Sequence, residues 1–338
     1  MNGLKRTMQF IEHKEVDRPP FHPILMQWSA RYGGVKYRDY CQKAEAKAGA
    51  FLKCAADFDL DWVTVMSDPY CEAEAFGLIA EYPEDDLPLE KEIPLKTHDD
   101  IDRLTLPDLD GAARFQNLLK TLDIYKREAG DELFITGWVE GPMAEYADLR
   151  GISQAFLDLM DCPEKVHKAM DVILENAIEM VRRELAAGAH CIGIGDAAAS
   201  LVGPDYYEEF IFERERELVQ TIQKLGGIAK LHICGDTRAI QQRMIATGVN
   251  IIDVDHLNGE MGANTELLSP GQVFCGNSDP VEVILQGRPD EIEASVRDCA
   301  RLTGGRTITS AGCEIPRDTS IDNFTAYSRA ATNRGLFN

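Results

Sequence analysis

The sequence predicts an α/β protein built as a (β/α)8 barrel, and three observations carry that reading. Short apolar runs rich in β-branched residues recur eight times along the 338 residues. Segments with helical periodicity separate most of them. A polar or metal-capable residue follows nearly every run, as a barrel with its active site at the C-terminal ends of its strands requires.

The runs, in order, are "FHPIL" from 21, "WVTVM" from 62, "FITGW" from 134 and "CIGIG" from 191, then "AKLHIC" from 229, "NIIDVD" from 250, "VFCGN" from 273 and "TITSAG" from 307. They are apolar at successive positions, as strands covered on both faces are, and that implies a parallel sheet. Between them lie amphipathic stretches such as "PEKVHKAMDVILENAIEMVRRELAAGA" (163–189) and "RPDEIEASVRDCARLTGG" (288–305). The Pro- and acid-rich stretch 81–110 reads as an insertion after the second run, and Gly/Ser linkers are missing, so 1–338 is expected to be one domain.

Composition narrows the function. Apolar residues make up 44% and aromatic residues 8%, normal for a globular chain. A formal charge of −22 repels nucleic acid and anionic lipid. No apolar run reaches the length of a membrane span, and "MNGLKRTMQF" lacks the apolar region of a signal peptide. The nine cysteines are odd in number and scattered, which fits a reducing cytoplasm rather than a disulfide framework.

At the ends of the runs stand Asp68, Glu140, Asp196, His232 with Cys234, Asp255, Asn277 and Cys313. His232 and Cys234 are two apart, so on a strand they point to one face, which in a barrel is the lumen. Cys313 closes the last run and can reach the same mouth. Two thiolates and an imidazole, with a carboxylate or an open position as the fourth, make a tetrahedral zinc site. Such soft donors exclude magnesium and calcium. His256 is either a neighbour of the site or a core histidine. Asp68, Asp196 and Asp279 also have a purely structural reading as helix caps.

Two motifs mislead. "GIGDAA" (193–198) imitates a dinucleotide turn, but Asp196 would stand where the pyrophosphate must sit. "DVDHLNG" (253–259) is close to the histidine loop of a corrinoid-binding module, yet its aspartate is one residue out of place.

The whole chain resembles the uroporphyrinogen decarboxylase-like superfamily, and within it the zinc-dependent corrinoid methyltransferases. The resemblance rests on "IEHKEVDRPP" (11–20), "VEGPM" (139–143), "LHICG" (231–235), "FCGNSDPVEVI" (274–284) and "SAGCEIPRDT" (310–319). It implies zinc on His232, Cys234 and Cys313. A further similarity to the metal set of cobalamin-independent methionine synthase places Asp255 as fourth ligand. It also implies a cobalamin held by a separate corrinoid protein, since no genuine corrinoid motif is present here. The decarboxylase branch fits less well: "MQWSARY" (26–32) keeps Arg31 but has Gln27 where that branch has an arginine, and Cys313 has no counterpart there.

Two methyl transfers are compatible with such a site. Met26, Trp28, Trp62, Trp138, Met143, Tyr206 and Tyr207 can build an apolar aromatic pocket. A small sulfonated thiol needs basic anchors, for which only Arg31 and Arg317 are candidates. The expectation is therefore an aryl methyl ether donor, bound by Met26, Trp28, Arg31, Trp138 and Tyr206, with Asp68 or Glu140 serving the leaving phenolate. The alternative is a methylcobalamin:thiol transfer of the coenzyme M type.

Overall fold

The computed structural model describes residues 1–337. Nine strands occur among the described residues: β1 (Trp62–Thr64), β2 (Ile79–Glu81), β3 (Leu89–Glu92), β4 (Phe134–Glu140), β5 (Cys191–Gly195), β6 (Ile228–Ile233), β7 (Ile251–Val254), β8 (Val273–Ser278) and β9 (Thr307–Ala311). Seven of them form one parallel sheet in the order β1-β4-β5-β6-β7-β8-β9. The fold is the (β/α)8 barrel that the sequence predicts.

The first apolar run differs from expectation. "FHPIL" makes a single bridge, Phe21 to Thr309, rather than a regular strand. Proline at 20 and 23 removes the donors a ladder needs. The segment still closes the cylinder. His22 N donates to Thr309 O at 2.9 Å, Thr309 N to Pro20 O at 2.9 Å, and Asp61 N to Phe21 O at 3.1 Å.

The floor is apolar. Phe10 and Ile11 of the helix Gly3–Ile11 pack with Trp62, Phe134, Cys191, Ile251, Val273, Cys275 and Ile308, one residue or more from most strands. Gly3 lets that helix approach, since a Cβ there would lie 2.4 Å from Asp61 O. Asp61 fixes the corner: its Oδ2 accepts from Phe21 N at 2.7 Å and from Arg18 Nη1 at 2.6 Å.

Above this floor the lumen turns polar. Lys230 of β6 pairs with Asp253 of β7, both fully buried, and the Lys230 ammonium lies 5.4 Å from the Trp138 ring centroid. Charges removed from water this way persist only when paired.

The insertion after β1 is a small layer of its own. It contains the antiparallel β2–β3 hairpin and the short helix His98–Asp102, started by a Thr97–Asp100 capping box. On the opposite wall the helix Pro163–Ala187 starts with proline at its first position and stops at Gly188, whose φ of 117° favours glycine. Among the described residues no helix is long and apolar enough to cross a membrane.

Candidate metal centre and active site

β6 places the first two donors. His232 pairs in register with Gly195 of β5 and Asp253 of β7, and Cys234 follows where the strand ends. The third donor comes from the turn after β9. Gly312 makes that turn possible, because a Cβ there would lie 2.2 Å from His256 N. Cys313 is thereby brought over the barrel mouth, with Cys234 Sγ 3.5 Å from Cys313 Sγ and 2.9 Å from His232 Nε2. All three donor atoms lie within 4.8 Å of one another. A tetrahedral zinc ion, with bonds of roughly 2.0–2.3 Å, sets its ligands about 3.5–3.8 Å apart. The three side chains therefore fit such an ion with small adjustment, and their chemistry suits it.

Histidine orientation is set from behind. His232 Nδ1 lies 3.1 Å from Asp253 Oδ2, so Nε2 faces the thiols. Burial opposes the charge on both, yet Lys230 and His232 hold Asp253 well below the usual carboxylate range. Against its own burial, Asp253 and Cys313 push His232 up to about 9. The thiols divide one proton. A hydrogen bond from Cys234 and then the nearby His232 lower Cys313 to about 4, despite burial, while Cys234 is raised by that same bond and by burial. The pair thus favours thiolate charge next to the imidazole.

β4 supplies the adjoining wall. Trp138 Nε1 donates to Glu140 Oε1 at 2.8 Å, and the indole lies 6.4 Å from the His232 ring. The glycines of "CIGIG" make room for it: a Cβ on Gly193 would sit 2.3 Å from Trp138 Cε3, and one on Gly195 2.6 Å from Cζ2. Their purpose is indole packing and not a dinucleotide turn. Burial, then Glu72 and Asp148, push Glu140 well above the usual range, so it holds its proton.

Asp68 is placed differently from a proton donor. Arg114 Nη2 donates to its Oδ2 at 2.6 Å and Ser67 Oγ at 2.7 Å, and these partners overcome burial and keep it ionised. It lines a narrow cavity with Lys47, Met66, Ser67, Glu72 and Trp138.

Asp255, expected as fourth ligand, is not part of the converging group. Its Oδ2 accepts from Gly235 N at 3.0 Å, and its Oδ1 accepts from Leu257 N at 3.0 Å and lies 2.6 Å from His256 Nδ1. The carboxylate is consumed in fixing two loops. His256 bridges it to Asp279, which also caps the turn at Val281 and Glu282. Asp196 likewise caps a helix, accepting from Ala144 N at 2.7 Å.

Three of the residues expected at a substrate pocket are engaged in contacts of their own. Trp28 is buried among Tyr32, Phe58 and Phe324, its Nε1 donating to Thr319 O at 2.9 Å. Arg31 is exposed and paired with Asp318. Tyr206 packs near Phe210 on the outer helices. Met26 precedes Gln27, whose N donates to Glu314 Oε1 at 2.8 Å, which ties this end of the segment to the residue after Cys313.

Sequence reasoning overlooked Lys230, Asp253 and Glu314. The signal was present for the first two: charged residues at alternate positions of runs otherwise apolar, Lys230 two before His232 and Asp253 two before Asp255. Glu314 gives no such signal. Burial raises it to about 7.

Comparison with known proteins identifies the family. Residues 2–334 match the family model described as uroporphyrinogen decarboxylase (URO-D). The methylcobamide:CoM methyltransferase MtbA of Methanosarcina mazei is 29% identical over 241 residues, 71% of this chain and 69% of that protein. The uroporphyrinogen decarboxylase of Psychromonas ingrahamii is 24% identical over 322 residues, 88% and 87% of the two chains. A solved methyltransferase from Methanosarcina mazei superimposes with a TM-score of 0.84 at 21% identity, covering 98% of each chain. A barrel closed through Phe21 and Thr309, matched along nearly its whole length, leaves one conclusion: the chain belongs to the uroporphyrinogen decarboxylase family.

Proposed function

We propose that this protein is a corrinoid-dependent methyltransferase that moves a methyl group between the cobalt of a corrinoid on a separate protein and a small thiol. Residues 1–338 are read as one barrel domain serving that reaction. The observation that carries the proposal is the convergence of His232 Nε2, Cys234 Sγ and Cys313 Sγ at the C-terminal mouth. Decarboxylation has no use for two thiolates, and methyl transfer to sulfur does. His232, Cys234 and Cys313 would hold a zinc ion, which would supply Lewis acidity to an acceptor thiol.

The chain's own groups prepare that chemistry. Asp253 holds His232 by Nδ1, and Lys230 compensates Asp253, so the imidazole is oriented without leaving a buried charge unpaired. Cys234 Sγ and Cys313 Sγ, 3.5 Å apart, form a donor pair with little rearrangement. The relatives named for methylcobamide:CoM transfer support a thiol as acceptor.

The expected aryl ether donor is less well supported than a thiol, because the relatives are named for transfer to coenzyme M and because Trp28 and Tyr206 are engaged in packing contacts. One observation still favours it as a second reading: protonated Glu140 beside Trp138 is a proton source for a leaving phenolate.

The test is an optical assay of the purified chain with methylcobalamin and a panel of small thiols, and separately with cobalt(I) corrinoid and methoxylated aromatics. Demethylation of methylcobalamin by a thiol is the expected result. Methyl-cobalt formed from an aryl ether, with no thiol activity, would move the enzyme to the second reading. Activity in neither direction would overturn both.

A further inference from the structure

A second set of metal-capable side chains lies on the outer wall, away from the barrel mouth. His98 opens the short helix of the insertion, Asp158 is carried by the helix Ile152–Asp161, and Cys162 stands immediately before the helix Pro163–Ala187. His98 Nε2 lies 3.1 Å from Asp158 Oδ1 and 3.7 Å from Cys162 Sγ, and the three donor atoms are within 4.8 Å of one another. We propose that these residues bind a second divalent ion of the zinc class, which clips the insertion after β1 to the barrel's outer helices.

The distances match a tetrahedral site. Zinc bonds of roughly 2.0–2.3 Å place nitrogen and oxygen ligands about 3.4 Å apart, and nitrogen and sulfur ligands about 3.6 Å apart. The observed separations, 3.1 and 3.7 Å, straddle those values. One ring nitrogen faces both the carboxylate and the thiol, the convergence that a shared ion requires.

The carboxylate is built for this. Asp158 is fully buried, and its strongest partners are on one oxygen: Arg150 Nε donates to Oδ2 at 2.7 Å and Tyr146 OH at 2.9 Å. Oδ1 keeps the longer contacts, to Gln154 Nε2 at 3.1 Å, Arg150 Nη2 at 3.4 Å and His98. A guanidinium and an ion can therefore share Asp158 through different oxygens. The His98 side chain is 46% exposed, which leaves a path for the ion and room for a water as fourth ligand. On binding, the Cys162 thiol proton passes to solvent and the imidazole binds through the Nε2 lone pair, with its proton on Nδ1. With Arg150 already paired to Asp158, the aspartate, thiolate, guanidinium and ion together carry one net positive charge, which the exposed His98 side opens to water.

Cobalt(II) titration of the chelator-stripped full chain, followed by thiolate-to-cobalt absorption, tests the proposal. Two equivalents are expected for the wild-type chain and one for Cys162→Ser, with methyl transfer unchanged in that variant. In Cys234→Ala/Cys313→Ala, one equivalent with a thiolate band should remain and vanish when Cys162→Ser is added. Equal stoichiometry in the wild-type chain and Cys162→Ser would overturn the outer site, and that comparison stands even if the double variant does not fold. Loss of the mouth site alone would leave one equivalent sensitive to Cys162→Ser, so failure of the functional reading is told apart from failure of this one.

Discussion

Asp253 Oδ2 stands 3.1 Å from His232 Nδ1 and at the same time pairs with Lys230, so one buried carboxylate both orients the candidate ligand and neutralises a lysine inside the barrel. Asp253→Asn keeps the shape and removes the charge. The expected cost is about 3–5 kcal/mol of stability, because Lys230 is left buried and unpaired. Metal affinity should fall about 10–100-fold through the loss of the orienting partner. Chemical denaturation and metal content after dialysis check the two effects separately. Asp253→Asn combined with Lys230→Met should regain stability but not metal affinity.

The Trp138 indole lies across β5 in space that two glycines provide. Gly193→Ala places a methyl 2.3 Å from Cε3, where neither the strand nor the ring can give way cheaply. A loss of about 1–3 kcal/mol is expected, together with a shifted tryptophan emission as the Glu140 hydrogen bond breaks. Unchanged stability and emission would show that the indole is not held as described.

The barrel mouth also predicts a pH dependence of stability. Burial, and then Glu72, raise Asp148 to about 8, and burial raises Glu72 and Asp196 to about 7. These groups keep protons in the folded state that the unfolded chain gives up near pH 4. Their contribution is complete below about pH 4 and is lost as pH rises through about 7 to 8. Tm should therefore decline between pH 5.5 and 8.5, and Asp148→Asn should make that decline shallower. A Tm that rises over this range would contradict the assignment.

Much of this was legible in the sequence, for a physical reason. Parallel strands covered on both faces leave uninterrupted apolar runs, and seven of the eight runs became strands. The i, i+2 spacing of His232 and Cys234 fixes their common direction as soon as the strand exists. The exception at "FHPIL" follows from its prolines. Side chains on loops and helices were harder to place, because no short period ties them to the barrel axis. Residue type alone points Trp28 and Tyr206 to the mouth, whereas Trp28 packs in the core against Phe58 and Phe324 and Tyr206 packs near Phe210. Asp255 follows the right strand, yet the neighbouring Gly235 and Leu257 amides claim its oxygens, which only the folded loops reveal.

Asp68 offers a further check on role. Held by Arg114 and Ser67, it is expected to maintain structure rather than transfer a proton. Asp68→Asn should lower stability by about 1.5–3 kcal/mol, the worth of a charge-assisted hydrogen bond, and leave the shape of the pH–rate profile intact. Loss of one limb of that profile would restore Asp68 as an acid–base group.

The central claim is that methyl transfer takes place at the His232, Cys234 and Cys313 centre, and the rate of methylcobalamin demethylation by a small thiol tests it most directly. With the wild-type chain the rate is expected to be high and to disappear on chelation. Cys313→Ser, folded and otherwise intact, should lose at least about 1000-fold, on the scale of several kcal/mol of lost Lewis-acid stabilisation. A Cys313→Ser variant that turns over at the wild-type rate would contradict the account.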